Sequence, residues 1–317
     1  MALRILCATV AVGALTLTAT ASGGIPNTGN PAAIGVDPSS SSRVEYPFGV
    51  SSYGDGGWAW DTTSTGWTRQ APEPTRVAFA PDVAVARGWP TVRAQIDPGD
   101  PALWGGQRAQ VYTTDEALRQ HGLPSLLTQR GDYAWYAFAF RTSTSYRPQR
   151  ALPYPNWNTI FSWHDTGFDF GGAHCWAPQA NVEMEIATGA PRGGGWRFFT
   201  RPRLGVEVYG GDPRDADWWH HGHRWYGPRF VPGRRYVVQM GVRWGDSGDG
   251  SMEVWINGKR LAARAHISTL WSGSNVYPIF GNYRQPASAG SISAPSAVYY
   301  GGFVRGGGRV QVGLPRP

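Results

Sequence analysis

An all-β sandwich of the jelly-roll type, with one concave face open as a substrate groove, is the fold predicted for this 317-residue chain. Short runs alternating apolar and polar residues recur from Tyr46 onward, separated by Gly, Pro, Asp and Asn clusters. Only one stretch, Thr114–His121, carries a helix pattern. The chain is also rich in rings, with 16 Trp and 14 Tyr, which suit both a sandwich core and a sugar-binding face.

Met1 to about Gly24 holds one cation (Arg4), an apolar run from Ile5 to Leu17 and a small-residue end at Ala19-Thr20-Ala21. That is the pattern of a secretory signal peptide over residues 1–21. Residues 22–45, mostly Gly, Pro, Ser, Asn and Ala, read as a flexible leader. Residues 46–317 read as one domain, with neither a repeat nor a linker inside it. Its strand signals fall at 77–80, 91–96, 108–112, 133–141, 159–164, 181–186, 196–199, 204–209, 235–244 and 251–256, with two closing runs through Tyr283 and Tyr299. Thr114 caps the helical stretch and Gly122 ends it. Gly245–Gly250 is a turn, and Asn257-Gly258 favours a primed two-residue hairpin.

Export makes a secreted protein the expectation, with no membrane span in the mature chain, no nucleic-acid partner and a monomeric state. Cys175 is the only cysteine beyond the signal segment, so no internal disulfide is expected and stability must come from a core. The formal net charge is +7, and of the 29 basic residues only Lys259 is lysine. Arginine pairs with carboxylates in a bidentate way, and a positive groove attracts polyanions such as acidic polysaccharides.

The run Asn275–Gln285 carries the most chemistry. Tyr277, Gly281, Tyr283 and Gln285 fall on one strand face, because successive side chains alternate. Two phenols and an amide beside a glycine suit a wet groove better than a core. Asn158–His164 brings an imidazole from another strand-like run. Tyrosine and histidine together suggest proton transfer on a polysaccharide.

Arg108-Ala-Gln110, Trp157–His164, Val254–Gly258 and Tyr277-x-Ile-x-Gly-x-Tyr283-Arg-Gln285 occur in that order. From about residue 75 to about 310 the chain therefore resembles the concanavalin-like jelly-roll polysaccharide lyases grouped around heparin lyase I and glucuronan lyase. It is similar too to the alginate lyases with Arg-x-Glu, Gln-x-His and Tyr-x-Lys-x-Gly-x-Tyr-x-Gln motifs. The resemblance implies β-elimination next to a uronate carboxylate. A donor neutralises that carboxylate, a base takes the C5 proton and an acid protonates the departing glycosidic oxygen.

The same resemblance maps the donor role onto Arg108 with Gln110 or Gln285, and proton transfer onto Tyr283 with His164 as its partner. Tyr277, Gln285, Asn282, Arg284 and Trp163 are the expected substrate contacts, and no metal or organic cofactor is required. The chain departs from the motifs at Ile279 (for Lys), Gln110 (for Glu) and Ser162 (for Gln).

Two other classes fit some of the residues. Glu183-Met-Glu185 puts two carboxylates on one strand face with Cβ atoms about 7 Å apart, a spacing a glycoside hydrolase could use. Thr188 (or Ala187) stands where the corresponding motif has its third acid, and solvent-facing carboxylates are expected here. A non-catalytic, lectin-like sugar-binding protein is the other class. Asp217–His223 is rich in imidazole, yet nothing completes a zinc spacing, and an aromatic, basic loop over the groove is expected. Asp246–Asp249 read as an Asp-Gly hairpin rather than a calcium loop.

Overall fold

Runs with a period of two fold into strands because each can bury one face and leave the other wet. Here they form two eight-stranded antiparallel sheets and a small two-stranded hairpin. A computed structural model describes residues 43–46, 61–62, 67–102, 106–113, 115–120, 122–149, 158–170, 173–192, 195–284 and 294–313.

The front sheet runs, in spatial order, β13 (His223–Arg229), β12 (Gly195–Val208), β11 (Val182–Arg192), β8 (Asn158–Asp165), β17 (Val276–Arg284), β6 (Gln107–Thr113), β3 (Trp67–Gln70) and β2 (Asp61–Thr62). The back sheet runs β16 (Lys259–Ile267), β15 (Gly250–Ile256), β14 (Arg235–Arg243), β7 (Tyr133–Thr142), β18 (Ser296–Gly306), β5 (Thr91–Ile96) and β4 (Val77–Phe79). β1 (Val44–Tyr46) pairs with β18 as well, and β9 (Phe168–Phe170) with β10 (Ala173–Cys175) makes the hairpin.

The inner faces of the sheets meet in an aromatic core. Phe138 of β7 lies 4.8 Å from Phe161 of β8 and 5.2 Å from Phe280 of β17, ring centre to ring centre. Trp163 packs 4.7 Å from Tyr136 and 5.3 Å from Trp244, all three buried. Burying such rings contributes roughly 1.5–3 kcal/mol each, enough to hold two sheets together without a second layer of helices. The expected helix is α1 (Asp115–Gln120), and α2 (Trp218–His221) is a single turn in the stretch expected to be a loop.

Some expectations need correcting. The leader does not reach residue 45: Val44–Tyr46 is a strand, and Tyr46 is fully buried against Phe303. Residues 1–21, where a signal peptide is expected, lie outside the described residues. The two runs at 196–199 and 204–209 are one 14-residue strand, β12. β13 and β16 were not among the strand signals because both are sheet edges. β16 carries Lys259, Arg260 and Arg264, the charges that keep an edge from pairing with another chain.

Asn257 (φ 49°) and Gly258 (φ 76°) close the β15–β16 hairpin with the left-handed pair a primed turn needs. In the 245–250 turn, Arg130 sits 3.2 Å from Asp246 and 3.0 Å from Asp249, so an exposed guanidinium of the same chain answers the two acids. Cys175, at the end of β10, is fully buried.

Candidate active site

The outer face of the front sheet is the candidate groove, and β17 forms its centre. Val276, Phe280, Asn282 and Arg284 point inward, whereas Tyr277, Ile279, Gly281 and Tyr283 share the outer face. β6 lies beside it, with Tyr112 opposite Ile279, Gln110 opposite Gly281 and Arg108 opposite Tyr283.

Pairing with β8 slips between Phe280 and Tyr283, and β8 slips against β11 at the same level. The second slip lets Ile160 and Phe161 both turn into the core. The buried Tyr300 hydroxyl reaches the carbonyls of Ile160 and Gly281, satisfying polar groups that the slipped ladder leaves over. A β-carbon at residue 281 would meet the Gln110 Cα and Cγ at 2.6 Å, so this floor position must be glycine.

The Arg108 guanidinium lies 4.2 Å from the centre of the Tyr283 ring and hydrogen-bonds its side chain. The other side of that ring rests on Gly106, where any β-carbon would collide with it. Burial raises the Tyr283 phenol above its ordinary value and Arg108 partly opposes this. The phenol is therefore protonated at rest near neutrality, and the Arg108 cation beside it is the group that favours its phenolate. The Gln110 amide is 4 % exposed, and its oxygen has no hydrogen-bond partner among the described residues.

His164 is level with Tyr277, not with Tyr283. Its ring lies 6.2 Å from Tyr277, which lies 5.9 Å from Tyr112. From Tyr277 to Tyr283 the strand advances roughly 20 Å, so the expected hydrogen-bonded pair of His164 and Tyr283 does not form. The two residues flank the stretch around Gly281 instead. His164 Nδ1 sits 3.3 Å from Asp165 Oδ2 and 3.1 Å from the Asp165 carbonyl. Acceptors at Nδ1 place the proton there and leave Nε2 as the basic nitrogen. Asp165 is fully buried and is held by the Gly167 N–H (2.7 Å) and the Ala177 N–H (3.3 Å).

On the far side of β8 the groove turns acidic. Glu183 is opposite Ser162 on one side and Glu207 on the other; Glu185 is opposite Thr159 and Gly205. These carboxylates are half-buried rather than solvent-facing. Gln179 donates to Glu183, Tyr209 donates to Glu207, and the Arg224 Nε lies 3.2 Å from Glu207. Burial, followed by repulsion from Glu207, pushes Glu183 up to about 8 and Glu185 well above its ordinary value.

With this geometry in place, comparison with known proteins decides the family. The family described as "Polysaccharide lyase" matches residues 59–303. The chain belongs to that family. It is a polysaccharide lyase.

Its fold is shared with an endo-β-1,4-glucuronan lyase from the fungus Trichoderma reesei, at 16% identity and a TM-score of 0.50, covering 73% of this chain and 86% of that one. Alginate lyase Aly36B is a more remote likeness, at 15% identity and a TM-score of 0.44, covering 75% and 85%. No curated protein matches.

Three of the expected substrate contacts of the lyase lie on the wrong side of the sheet. Trp163 is fully buried between Tyr136 and Trp244. Asn282 is fully buried and donates to the Ser296 carbonyl at 2.9 Å. Arg284 is 2 % exposed, donates to Ser296 Oγ at 2.7 Å and lies over the Tyr146 ring. Each is an immediate or odd-numbered neighbour of a groove residue, and alternation turns it inward. Gln285 lies outside the described residues. Tyr277, Tyr283, His164, Arg108 and Gln110 all face the groove.

Sequence reasoning missed Asp165, Glu207, Arg224 and Gly106. Asp165 carried a signal, being the residue after His164; the other three join the site only through sheet pairing. His221 pairs with Asp215 at 2.9 Å while His223 stacks on Trp225, so the imidazole-rich stretch diverges. No set of three His, Cys, Asp or Glu side chains placed to hold a metal occurs among the described residues.

Proposed function

We propose that this lyase acts as a secreted monomer on an acidic, uronate-containing polysaccharide, which it cleaves by β-elimination in the front-sheet groove. Arg108 is the observation that carries this reading: it is a guanidinium held on the groove floor against a phenol, the fixed cation that a uronate carboxylate needs. A uronate seated over Gly281 meets Arg108 and Gln110 at its carboxylate, which lowers the cost of charge developing at C5. Tyr283, in the phenolate form that the Arg108 cation favours, takes the C5 proton; His164, roughly 20 Å along the strand, is out of reach of the same C4–C5 bond and contacts a neighbouring sugar. The C5–H electron pair becomes the C4–C5 double bond as the C4–O bond breaks, and Tyr283 protonates the departing oxygen. That a glucuronan lyase shares the fold is in keeping with this substrate class.

The test is incubation with glucuronan, alginate, heparin and hyaluronan while following the ultraviolet absorbance of the unsaturated product. A rise with at least one polymer is expected, and none with any of them sinks the proposal. New reducing ends without absorbance would point instead to hydrolysis at Glu183 and Glu185.

Asp165 fixes the His164 ring at the far end of the groove, so Asp165→Asn is expected to raise KM about fivefold, equivalent to about 1 kcal/mol, with kcat within about twofold. His164→Gln should cost as much, and the double variant little more, because the two act as a unit. Additive losses in that cycle would show that Asp165 serves only the backbone turn at Gly167 and Ala177.

A further inference from the structure

Trp176 follows the β9–β10 hairpin directly and is 45% exposed. The described residues expose four large apolar side chains, Phe79, Trp176, Val231 and Val310. Of these, Trp176 is the one whose ring packs against a groove residue, 6.0 Å from His164 at an interplanar angle of 72°. His174 meets the same indole at 5.5 Å and 86°. Tyr112, Tyr277, His164 and Trp176 thus form a continuous row of rings from the groove floor to its edge. Burial would normally claim an indole, and a rigid exposed ring at the end of such a row offers a stacking face to a pyranose.

The hairpin is built to hold that ring in place. Cys175 is fully buried beside it, and the Asp165 carboxylate that faces His164 also accepts the Ala177 N–H at 3.3 Å. His164 and the Trp176 backbone therefore share one anchor. A sugar stacked on Trp176 is held in register with the imidazole.

We propose that Trp176, flanked by His174, is a stacking subsite for a sugar residue of the substrate chain beyond the one seated over Gly281, on the His164 side. This rests on the groove being the lyase site. The occupant is a further unit of the same polysaccharide, because the row of rings is continuous with the groove floor.

Trp176→Ala and Trp176→Phe, each checked for an unchanged Tm, are compared with the wild type on glucuronan oligosaccharides from three to eight units. Trp176→Ala is expected to raise KM about tenfold on the longer oligosaccharides, equivalent to about 1.4 kcal/mol. It should leave kcat within twofold and the shortest cleaved oligosaccharide unaffected, with Trp176→Phe in between. Equal KM values at every length overturn the subsite while leaving the lyase reading intact. Should the wild type cleave no polyuronate, migration in gels cast with glucuronan decides separately: retardation lost in Trp176→Ala supports the subsite, and equal retardation, or none in either protein, overturns it.

Discussion

Tyr283→Phe is expected to lower kcat about 10³-fold on whichever polyuronate the lyase cleaves, with KM nearly unchanged. The substitution removes one hydroxyl. The ring keeps its place between Gly106 and the Arg108 guanidinium, so little stability is lost, about 1 kcal/mol for the hydrogen bond to Arg108. The initial rate of product absorbance measures the loss, and the variant's thermal unfolding shows whether the fold survives. Tyr277→Phe is the contrast: that phenol lies beside His164 and Tyr112 and has no place in the proton transfer. A tenth or more of the wild-type rate in Tyr283→Phe would mean that another group handles the proton.

The second large effect is on stability. Glu183 titrates near 4.5 in an unfolded chain and at about 8 in the folded protein, where burial and then Glu207 disfavour its charge. Below pH 4.5 both states are protonated, and the favourable contribution of the neutral acid is fully present. As pH rises toward 8 the unfolded chain releases a proton that the folded one keeps, and that contribution is progressively lost. At full strength the displacement corresponds to about 5 kcal/mol. Glu183 is open in part to groove water, so about 2 kcal/mol is the expected size.

Glu183→Gln removes the titration while keeping an amide to bond Gln179. The variant should therefore unfold about 5 °C above the wild type at pH 9 and within about 1 °C of it at pH 5. Parallel Tm curves across that range would show that Glu183 ionises in the folded protein as it does in water.

Much of this was legible before any coordinates. Alternation in Tyr133–Arg141 and Val276–Arg284 marked strands of opposite sheets, and the Asn257-Gly258 pair marked its hairpin. The same alternation, applied to Trp163, Asn282 and Arg284, would have placed them in the core. They were assigned to the groove because they adjoin groove residues in the chain, and adjacency along a strand means opposite faces. The carboxylates show the converse. Glu183 and Glu185 were visible as a pair, but their raised titration comes from Glu207, 22 positions after Glu185, which sheet register brings opposite Glu183.

By itself the sequence determined the class of fold, the family and the face on which Tyr277, Gly281 and Tyr283 lie. These depend on the period of two and on motifs a few residues long, which are local properties of a chain. Tertiary structure alone decided which groups meet: Arg108 on Tyr283, His164 against Tyr277 and Asp165, and Glu207 against Glu183. The physical reason is register. A strand's own residues set which way its side chains point, but the slips at Phe280–Tyr283 and Met184–Glu185 set which neighbour each faces. The slips are accommodated by a group far away in the chain, the buried Tyr300 hydroxyl of the opposite sheet, which bonds the carbonyls of Ile160 and Gly281.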